Sequence, residues 1–462
     1  MGSLYRKTLL VISIIMLISG SALAEILTLD DCIELALKKN QDVIRARNMV
    51  KSADGNVWNA FGSFLPSISA SASAQQTRSD RYIVTDSGHA IYIPSEHEND
   101  TLVIPPDTLL LMPYQSEVEM GGVSKSYSLG ASASLTVFNG GQNIFNYLGS
   151  RSDKEYYKYQ AEASEQNLIY NVKAYYFNYL KALDSRKIND EAVKRGEEQL
   201  KLAQSRFDVG AASKSDVLKA KVQYGNDKLA LISAENDVKI AHANLTYLIG
   251  LNVNTDVDFA TDYESREYNN SELDALKFGM ANYPGLNASK SNLTSAKYAV
   301  WSAYGRYLPT LSVSVGRSWS NSRFSEVTKF RSEDAHWTIQ TSLSVPIFSN
   351  FSRKRDVTSA KASFNNARAD YFYAENSVAL NIKEAYLIIN KAKEALKVAG
   401  ENVAAAEEDM SLVQEKYNLG AATILELMDA QVSLITAQNS KVEAEFDYNL
   451  AVARLENAMG IK

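Results

Sequence analysis

Arg206-Phe207-Asp208-Val209-Gly210-Ala211-Ala212-Ser213 returns 210 residues later as Lys416-Tyr417-Asn418-Leu419-Gly420-Ala421-Ala422-Thr423. At the same offset Asp216 returns as Glu426, Ala220 as Ala430, Phe138-Asn139 as Phe348-Ser349, and Ile249-Gly250 as Met459-Gly460. One short match arises by chance, but a register held over more than 110 residues marks a duplicated chain. Upstream of Phe138 the offset becomes 243, pairing Phe64-Leu65-Pro66 with Tyr307-Leu308-Pro309 and Asp42-Val43 with Gly285-Leu286. The first copy therefore carries 33 extra residues, between Pro66 and Phe138. Each copy reads as helix, strand, loop, strand, long helix, turn, helix. The expected organisation is a first repeat over 25–250, a linker over 251–270 and a second repeat over 271–462.

The strands are short and alternate. In Ser67-Ile68-Ser69-Ala70-Ser71-Ala72-Ser73-Ala74 one face is serine throughout and the other apolar. Tyr127, Leu129, Ala131, Ala133, Leu135 and Val137 alternate with Ser128, Gly130, Ser132, Ser134 and Thr136. The second copy repeats the pattern with Leu311, Val313 and Val315, then Ile339, Leu343 and Val345. Strands are expected at about 67–76, 126–138, 310–319 and 336–348. Pro66 and Pro309 mark the helix-to-strand junctions, because proline stops a helix and pushes its predecessor toward extended geometry. Phe138, Gly140, Gly141 and Phe348 mark the return to helix.

A soluble antiparallel sheet alternates in the same way. An apolar face this rich in alanine suits lipid better than a packed core, and strands of this length with small polar residues inside match an outer-membrane barrel. Four strands cannot close a barrel, and an open edge in lipid leaves backbone groups unpaired. Copies of the chain must complete it: two would give eight strands, three would give twelve.

From Val378 a stripe runs through Ile382, Ala385, Ile389, Ala392, Leu396, Ala399, Val403, Ala406, Met410, Val413 and Tyr417 in steps of three and four. The first copy holds the same register at Leu168, Val172, Tyr175, Tyr179, Ala182, Val193, Leu200, Ala203 and Phe207. A helix from about Phe351 to Asn418 would be roughly 100 Å long at 1.5 Å per residue. Helices from about Ser271 to Gly305 and from Thr423 to Met459 would be half as long, so two end to end match one long one. Heptads alone describe a coiled-coil rod. Alanine-rich seams on antiparallel neighbours, in a chain that also carries barrel strands, suggest a hollow ring of helices.

Composition narrows the setting. Arg6 and Lys7, the apolar run Leu9–Ile18 and Ser21-Ala22-Leu23-Ala24 read as an export signal peptide over 1–24. No later stretch is apolar for 18 residues, so any membrane crossing falls to strands. Cys32 is the only cysteine, which excludes an internal disulfide framework and a cysteine-rich metal site. A formal charge of −6 with dispersed signs offers no basic stripe for nucleic acid. His89 and His97, with Glu96, Glu98 and Asp100, lack metal-ligand spacing and read as a solvated loop. That loop carries Pro94, Pro105, Pro106 and Pro113 around Leu109-Leu110-Leu111-Met112, the pattern of a lid or a receptor surface. His242 and His336 are isolated, so no catalytic residue, metal or cofactor is expected and the chain does not read as an enzyme.

Several motifs together resemble the TolC-like outer-membrane efflux protein family, over essentially the whole chain after the leader. They are the two Leu-Pro entries to serine-rich strands, the Phe138-Asn139-Gly140-Gly141 exit, the turns with Val209-Gly210 and Leu419-Gly420, and Thr423-Ile424-Leu425-Glu426-Leu427-Met428-Asp429-Ala430-Gln431. The resemblance implies an α+β membrane protein. In it a homotrimer forms a twelve-stranded outer-membrane β-barrel continued by a long periplasmic α-helical barrel that tapers at its far end. It implies a passive exit duct, in the outer membrane of a Gram-negative bacterium, for a tripartite efflux or type I secretion system. Its partners would be outer-membrane lipid, a periplasmic adaptor (membrane fusion) protein and an inner-membrane transporter. Val209, Gly210, Ala211, Ser213, Leu419, Gly420, Ala421 and Thr423 would form the adaptor-docking turns, and Tyr417, Glu426 and Asp429 the pore constriction. The linker 251–270 would thicken the equatorial region of the helical barrel. Ala422 stands where many members hold a basic residue that ties neighbouring helices, so that tie is missing at this position.

Two residue-level readings stand beside the resemblance. Thr423-x-x-Glu426 and Ser213-x-x-Asp216 are capping boxes, which account for Glu426 without a pore. They do not account for Asp429, whose counterpart is Lys219. The competing function is a trimeric envelope-spanning scaffold or adhesin, with the heptads as a rod and the long first loop as its tip. Paired hairpins and paired turns favour the duct.

Overall fold

The computed structural model describes residues 26–85, 89–92, 109–112, 117–255, 257–263, 268 and 271–461. The expected signal peptide over 1–24 and the Glu96, His97, Glu98 and Asp100 loop with Pro94, Pro105, Pro106 and Pro113 lie outside the described residues. The first copy supplies α1 (Leu29–Lys39), α2 (Gln41–Gly62), β1 (Ser67–Thr85), β2 (His89–Tyr92), β3 (Leu109–Met112), β4 (Glu117–Asn139), α3 (Gln142–Asp208) and α4 (Lys214–Leu248). The second supplies α5 (Glu272–Asn282), α6 (Pro284–Gly305), β5 (Thr310–Asn321), a single helical turn α7 (Phe324–Val327), β6 (Ala335–Ser344), α8 (Ser352–Asn418) and α9 (Ile424–Met459). The chain divides into two compact units.

The helical unit contains the described residues of 26–58, 145–301 and 354–461. Its two long helices, α3 and α8, each have 67 residues, roughly 100 Å at 1.5 Å per residue. The heptad positions Val378, Ile382, Ala385, Ile389 and Ala392 are buried in one cluster with Leu286, Tyr448, Leu455 and Met459. A second cluster gathers Val172, Tyr176, Phe177 and Leu180 of α3 around Cys32, Leu245 and Phe259. Burial pushes the Cys32 thiol up to about 12, which keeps it protonated and inert.

The helix expected over Ser271 to Gly305 is broken. Pro284 forces Tyr283 out of helical geometry, to ψ 117°, so α5 ends at Asn282 and α6 starts afresh. Asn40 makes the equivalent break between α1 and α2, at ψ 131°, and its side chain accepts from the Asp42 amide at 2.9 Å. The segment between the copies is tied in. Leu27 and Phe259 form a parallel bridge, Tyr176 donates to the Ala260 carbonyl, and the His242 ring meets the Val257 carbonyl at 2.7 Å while packing on Tyr179 and Phe259. His242 thus has a packing role.

The sheet unit contains the described residues of 59–144 and 302–353. Its strands are antiparallel in the order β1-β4-β5-β6. Two of them run farther than the sequence pattern indicates: the β1–β4 ladder continues past Arg78 and Val123, through a bulge, to Thr85 and Glu117. The 33 extra residues therefore lengthen this hairpin, and β2 pairs with β3 in a separate small sheet. At the other end β6 stops at Ser344, short of the expected 348, since Pro346 has no N–H to offer a ladder. The Pro346 carbonyl instead accepts from Arg353 at 2.8 Å.

Register sorts the two faces. Across strands, Ser67 meets Ser134, Ser69 meets Ser132, Ser73 meets Ser128 and Ser312 meets Ser342, each pair of hydroxyls hydrogen-bonded at 2.7–3.0 Å. The opposite face aligns Ile68, Ala133 and Val315 with Ile339, and Ala131 and Arg317 with Trp337. Ile68, Ile339 and Leu343 are all more than 60% exposed, so no core covers the apolar face within the protomer. At the return to helix Gly140 has φ +69°, and a Cβ there would run into the Gly305 carbonyl, which explains why glycine occupies the junction.

Candidate functional site

The two helix-to-helix turns are nearly superimposable in construction. At Gly210 and Gly420 φ is +79° and +76°, with open space where a Cβ would stand, so these glycines serve backbone conformation alone. In each turn an amide closes back on the helix end: Ala211 donates to the Arg206 carbonyl at 2.7 Å and Ala421 to the Lys416 carbonyl at 2.8 Å. The next helix opens with a complete capping box in both copies, Ser213 with Asp216 and Thr423 with Glu426. With their amides satisfied in this way, the turns leave Val209 and Leu419 projecting, 79% and 85% exposed. Sites of this kind present a small apolar knob on a rigid backbone.

Both capping carboxyls are held below the usual carboxylate range. For Asp216 the Ser213 hydroxyl is the larger cause and its backbone amide the smaller; for Glu426 the Thr423 amide leads and the hydroxyl follows. Asp429 lies one turn farther along α9, exposed, and makes no ion pair. Glu426 and Asp429 therefore come together on an outward face of the protomer. Tyr417 does not join them. Only 5% exposed, its ring packs behind the turn with Ile424 and Leu427 and supports the helix end from inside.

What holds Tyr417 there is a residue that sequence reasoning passed over. Arg206, at the end of α3, lays its guanidinium 4.4 Å from the Tyr417 ring centroid and donates to the Tyr417 and Asn418 carbonyls at 3.0 and 3.2 Å. A cation at the C-terminal end of α8 also meets the negative end of that helix dipole. One arginine thereby ties the two turns to each other within a protomer. The available signal was the basic pair Arg206 and Lys416 at matched positions in the two copies.

Farther up the same helices lies a second feature without a sequence signal. Asp227 on α4 is buried against α3, where it accepts from Gln223 at 2.8 Å; Gly196 leaves it room, since a Cβ there would stand 2.6 Å from the carboxylate. Burial pushes the Asp227 carboxyl up, opposed by the Gln223 hydrogen bond and the charge of Arg195. Nε and Nη2 of Arg195 and Oδ2 of Asp227 are buried without partners.

Among the described residues no helix is long and apolar enough to cross a membrane, and no cluster of His, Cys, Asp and Glu has a metal site's composition. Paired long helices, matched apolar turns and a sheet with one serine face and one uncovered apolar face define a channel-forming protein of the bacterial envelope. The chain belongs to the outer membrane efflux protein family, whose model matches residues 32–251 and 280–461. It is an outer-membrane protein of the efflux class. It is 24% identical over 334 residues to the outer membrane efflux protein BepC of Brucella suis biovar 1, covering 72% of each chain. It is also 24% identical over 318 residues to the outer membrane protein TolC of Escherichia coli K12, covering 65% of this chain and 62% of that one. Its fold is shared with the outer membrane protein VceC of Vibrio cholerae at a TM-score of 0.76 and 16% identity, covering 94% of this chain and 96% of the other.

Proposed function

We propose that three copies of the chain close a twelve-stranded barrel in the outer membrane, continued by a periplasmic barrel of helices, and that the trimer is the passive exit duct of a tripartite efflux or type I secretion system. The observation that carries this reading is the four-stranded sheet: its outer strands β1 and β6 each have one unpaired edge, and its apolar face has no cover. Lipid answers the face and neighbouring copies answer the edges. The serine face then lines the lumen, where hydroxyls already paired across strands present a neutral wall to cargo. In this reading residues 25–250 and 271–462 are two copies of one unit joined by 251–270, after an export signal over 1–24.

The helical end carries the finer roles. Val209, Gly210, Ala211 and Ser213 with Leu419, Gly420, Ala421 and Thr423 are the surface for a periplasmic adaptor, through which an inner-membrane transporter delivers cargo. Glu426 and Asp429 form the entrance constriction, with Tyr417 bracing it from behind. Like charges gathered by threefold symmetry favour a bound cation or a shared proton in the closed state. Purification in detergent, mass determination and planar-bilayer recording test the assembly. A trimer with discrete conductance is expected, and a monomer or dimer without channels overturns it.

A further inference from the structure

Charge on the sheet is distributed with a rule. Over the segments 67–78, 123–139, 310–321 and 335–344, short of the β1–β4 extension that carries Asp80, Arg81, Glu117 and Glu119, there is no Asp or Glu, and the cations are Arg78, Lys125 and Arg317. Period-two alternation puts all three on the apolar face: Arg78 follows Ile68, Ala70, Ala72 and Ala74, Lys125 precedes Tyr127 and Leu129, and Arg317 follows Leu311, Val313 and Val315. All three also lie toward the end of the strands remote from Pro66 and Pro309. From Leu311 to Arg317 the apolar stretch of β5 is roughly 20 Å along the strand at about 3.3 Å per residue, close to the height of a barrel's apolar band.

Arg317 is built in. Its guanidinium lies 4.7 Å from the Trp319 ring centroid and 5.0 Å from that of Trp337, its cross-strand partner. Nε is sealed from solvent without a partner, leaving the terminal nitrogens to meet whatever lies outside the sheet. The indole of Trp319 is itself fixed, donating to the Arg331 carbonyl at 3.1 Å and packing edge-on against Phe330. The loop cations nearby are different. Lys329 pairs with Glu326 at 2.7 Å, and Arg331 approaches Glu326 and Glu333 at 3.8 and 3.6 Å. The loop neutralises its own charge while these strand segments leave three cations on an otherwise apolar face.

We propose that Arg317, Arg78 and Lys125 form a binding belt for phosphate groups of anionic lipids in the outer leaflet, with Arg317 as the anchor. A guanidinium within 5.0 Å of two indole centroids, its Nε already sealed, offers its two terminal nitrogens, and these match two phosphate oxygens. Trp319 and Trp337 sit at the depth where amphipathic rings meet headgroups. The inference rests on the barrel reading above, which sets this end of the strands at the outer surface.

The test uses the full-length protein from outer membranes, delipidated in detergent and offered phosphatidylglycerol or phosphatidylcholine in mixed micelles, with bound lipid counted by native mass spectrometry. Phosphatidylglycerol should be retained preferentially. Each cation removed, in R317Q, R78Q and K125Q, should lower that preference about fivefold, near the worth of one basic residue at a charged lipid surface. R317K should keep part of it. Equal retention of the two lipids by the wild type, or a preference unchanged in the triple variant, overturns the proposal, as does displacement of the lipid by millimolar inorganic phosphate. Bilayer conductance of the same samples separates the two readings: channels without lipid preference sink the belt alone, whereas a wild type without channels sinks the barrel on which it rests.

Discussion

At matched positions on their long hairpins the first copy holds Arg195, Gly196 and Asp227, and the second holds Ala405, Ala406 and Ala437. The backbones are alike in element order and length, yet one seam buries the Asp227 carboxylate with the part-exposed Arg195 nearby, and the other holds alanine at all three positions. Desolvation of the Asp227 carboxylate is only partly offset by the Gln223 hydrogen bond and the charge of Arg195, so this seam depends on the groups around one buried acid. The acidic pair divides the other way: Asp429 has Lys219 as its counterpart. The two halves are thus alike in backbone and differ in where their charges stand.

The comparison is most open to attack at the buried carboxylate. Asp227→Ala leaves the Gln223 amide and the buried Arg195 Nε and Nη2 without the nearby carboxylate and should lower the apparent Tm by a few degrees, a loss on the order of 1 kcal/mol. The triple change R195A/G196A/D227A installs the second copy's residues and should recover most of it. Equal Tm values for the single and triple variants would show that the seam is not organised around charge. Since Asp227 is raised in the folded state, the penalty of burying its ionised form is full above that raised value and recedes as pH falls through it. The gap between wild type and triple variant should therefore shift in favour of the wild type toward acid, as read by thermal melts at stepped pH.

The next effect in size concerns the proposed entrance. Asp429→Ala should raise single-channel conductance and weaken cation selectivity, whereas Lys219→Ala should leave both within error in planar bilayers. A third contrast sets Arg206→Ala against Lys416→Ala. The first removes a stacking contact and two hydrogen bonds to a helix end and should increase amide exchange at Tyr417 and Asn418; the second, exposed, should not. The smallest expected effect is a symmetry. Ser213→Ala and Thr423→Ala each remove one cap and should cost similar, small amounts of stability. Asp216 and Glu426 are both depressed in the folded state, so the caps contribute fully above the unfolded carboxyl values and lose that contribution as pH falls through the folded ones. Acid titration of either alanine variant should accordingly be flatter than that of the wild type.

Local chemistry explains how much of this could be read from the chain. Proline before a strand, glycine at positive φ and a Thr-x-x-Glu box act within a few residues, so Pro309, Gly420 and Glu426 announced their elements directly. The break at Pro284 is equally local, but the helix expected from Ser271 to Gly305 runs straight through it. Arg206 and Asp227 escaped notice because the groups they face, Tyr417 and Gly196, lie across a helix seam at separations that no periodicity encodes. The face of Tyr417 had the same cause: an aromatic beside a turn can point either way, and the arginine from the other copy decides it. The extended β1–β4 hairpin was hidden because its added residues do not alternate as regularly as the serine-rich stretch before them.

The equal length of the two long helices has a bearing on how such a chain can change. Arg206 reaches the Tyr417 carbonyl only because α3 and α8 end level after 67 residues each. Deleting one residue from α3 would draw its turn back by about 1.5 Å and swing it by about 100°, carrying the guanidinium off its acceptors and every later seam residue off its partner. A change made in both helices together, seven residues at a time, would keep each stripe facing its neighbour and lengthen the hairpin by about 10 Å per heptad. Insertions and deletions in lineages of this chain should therefore occur as matched pairs in units of a heptad, and the span of the duct should vary in steps.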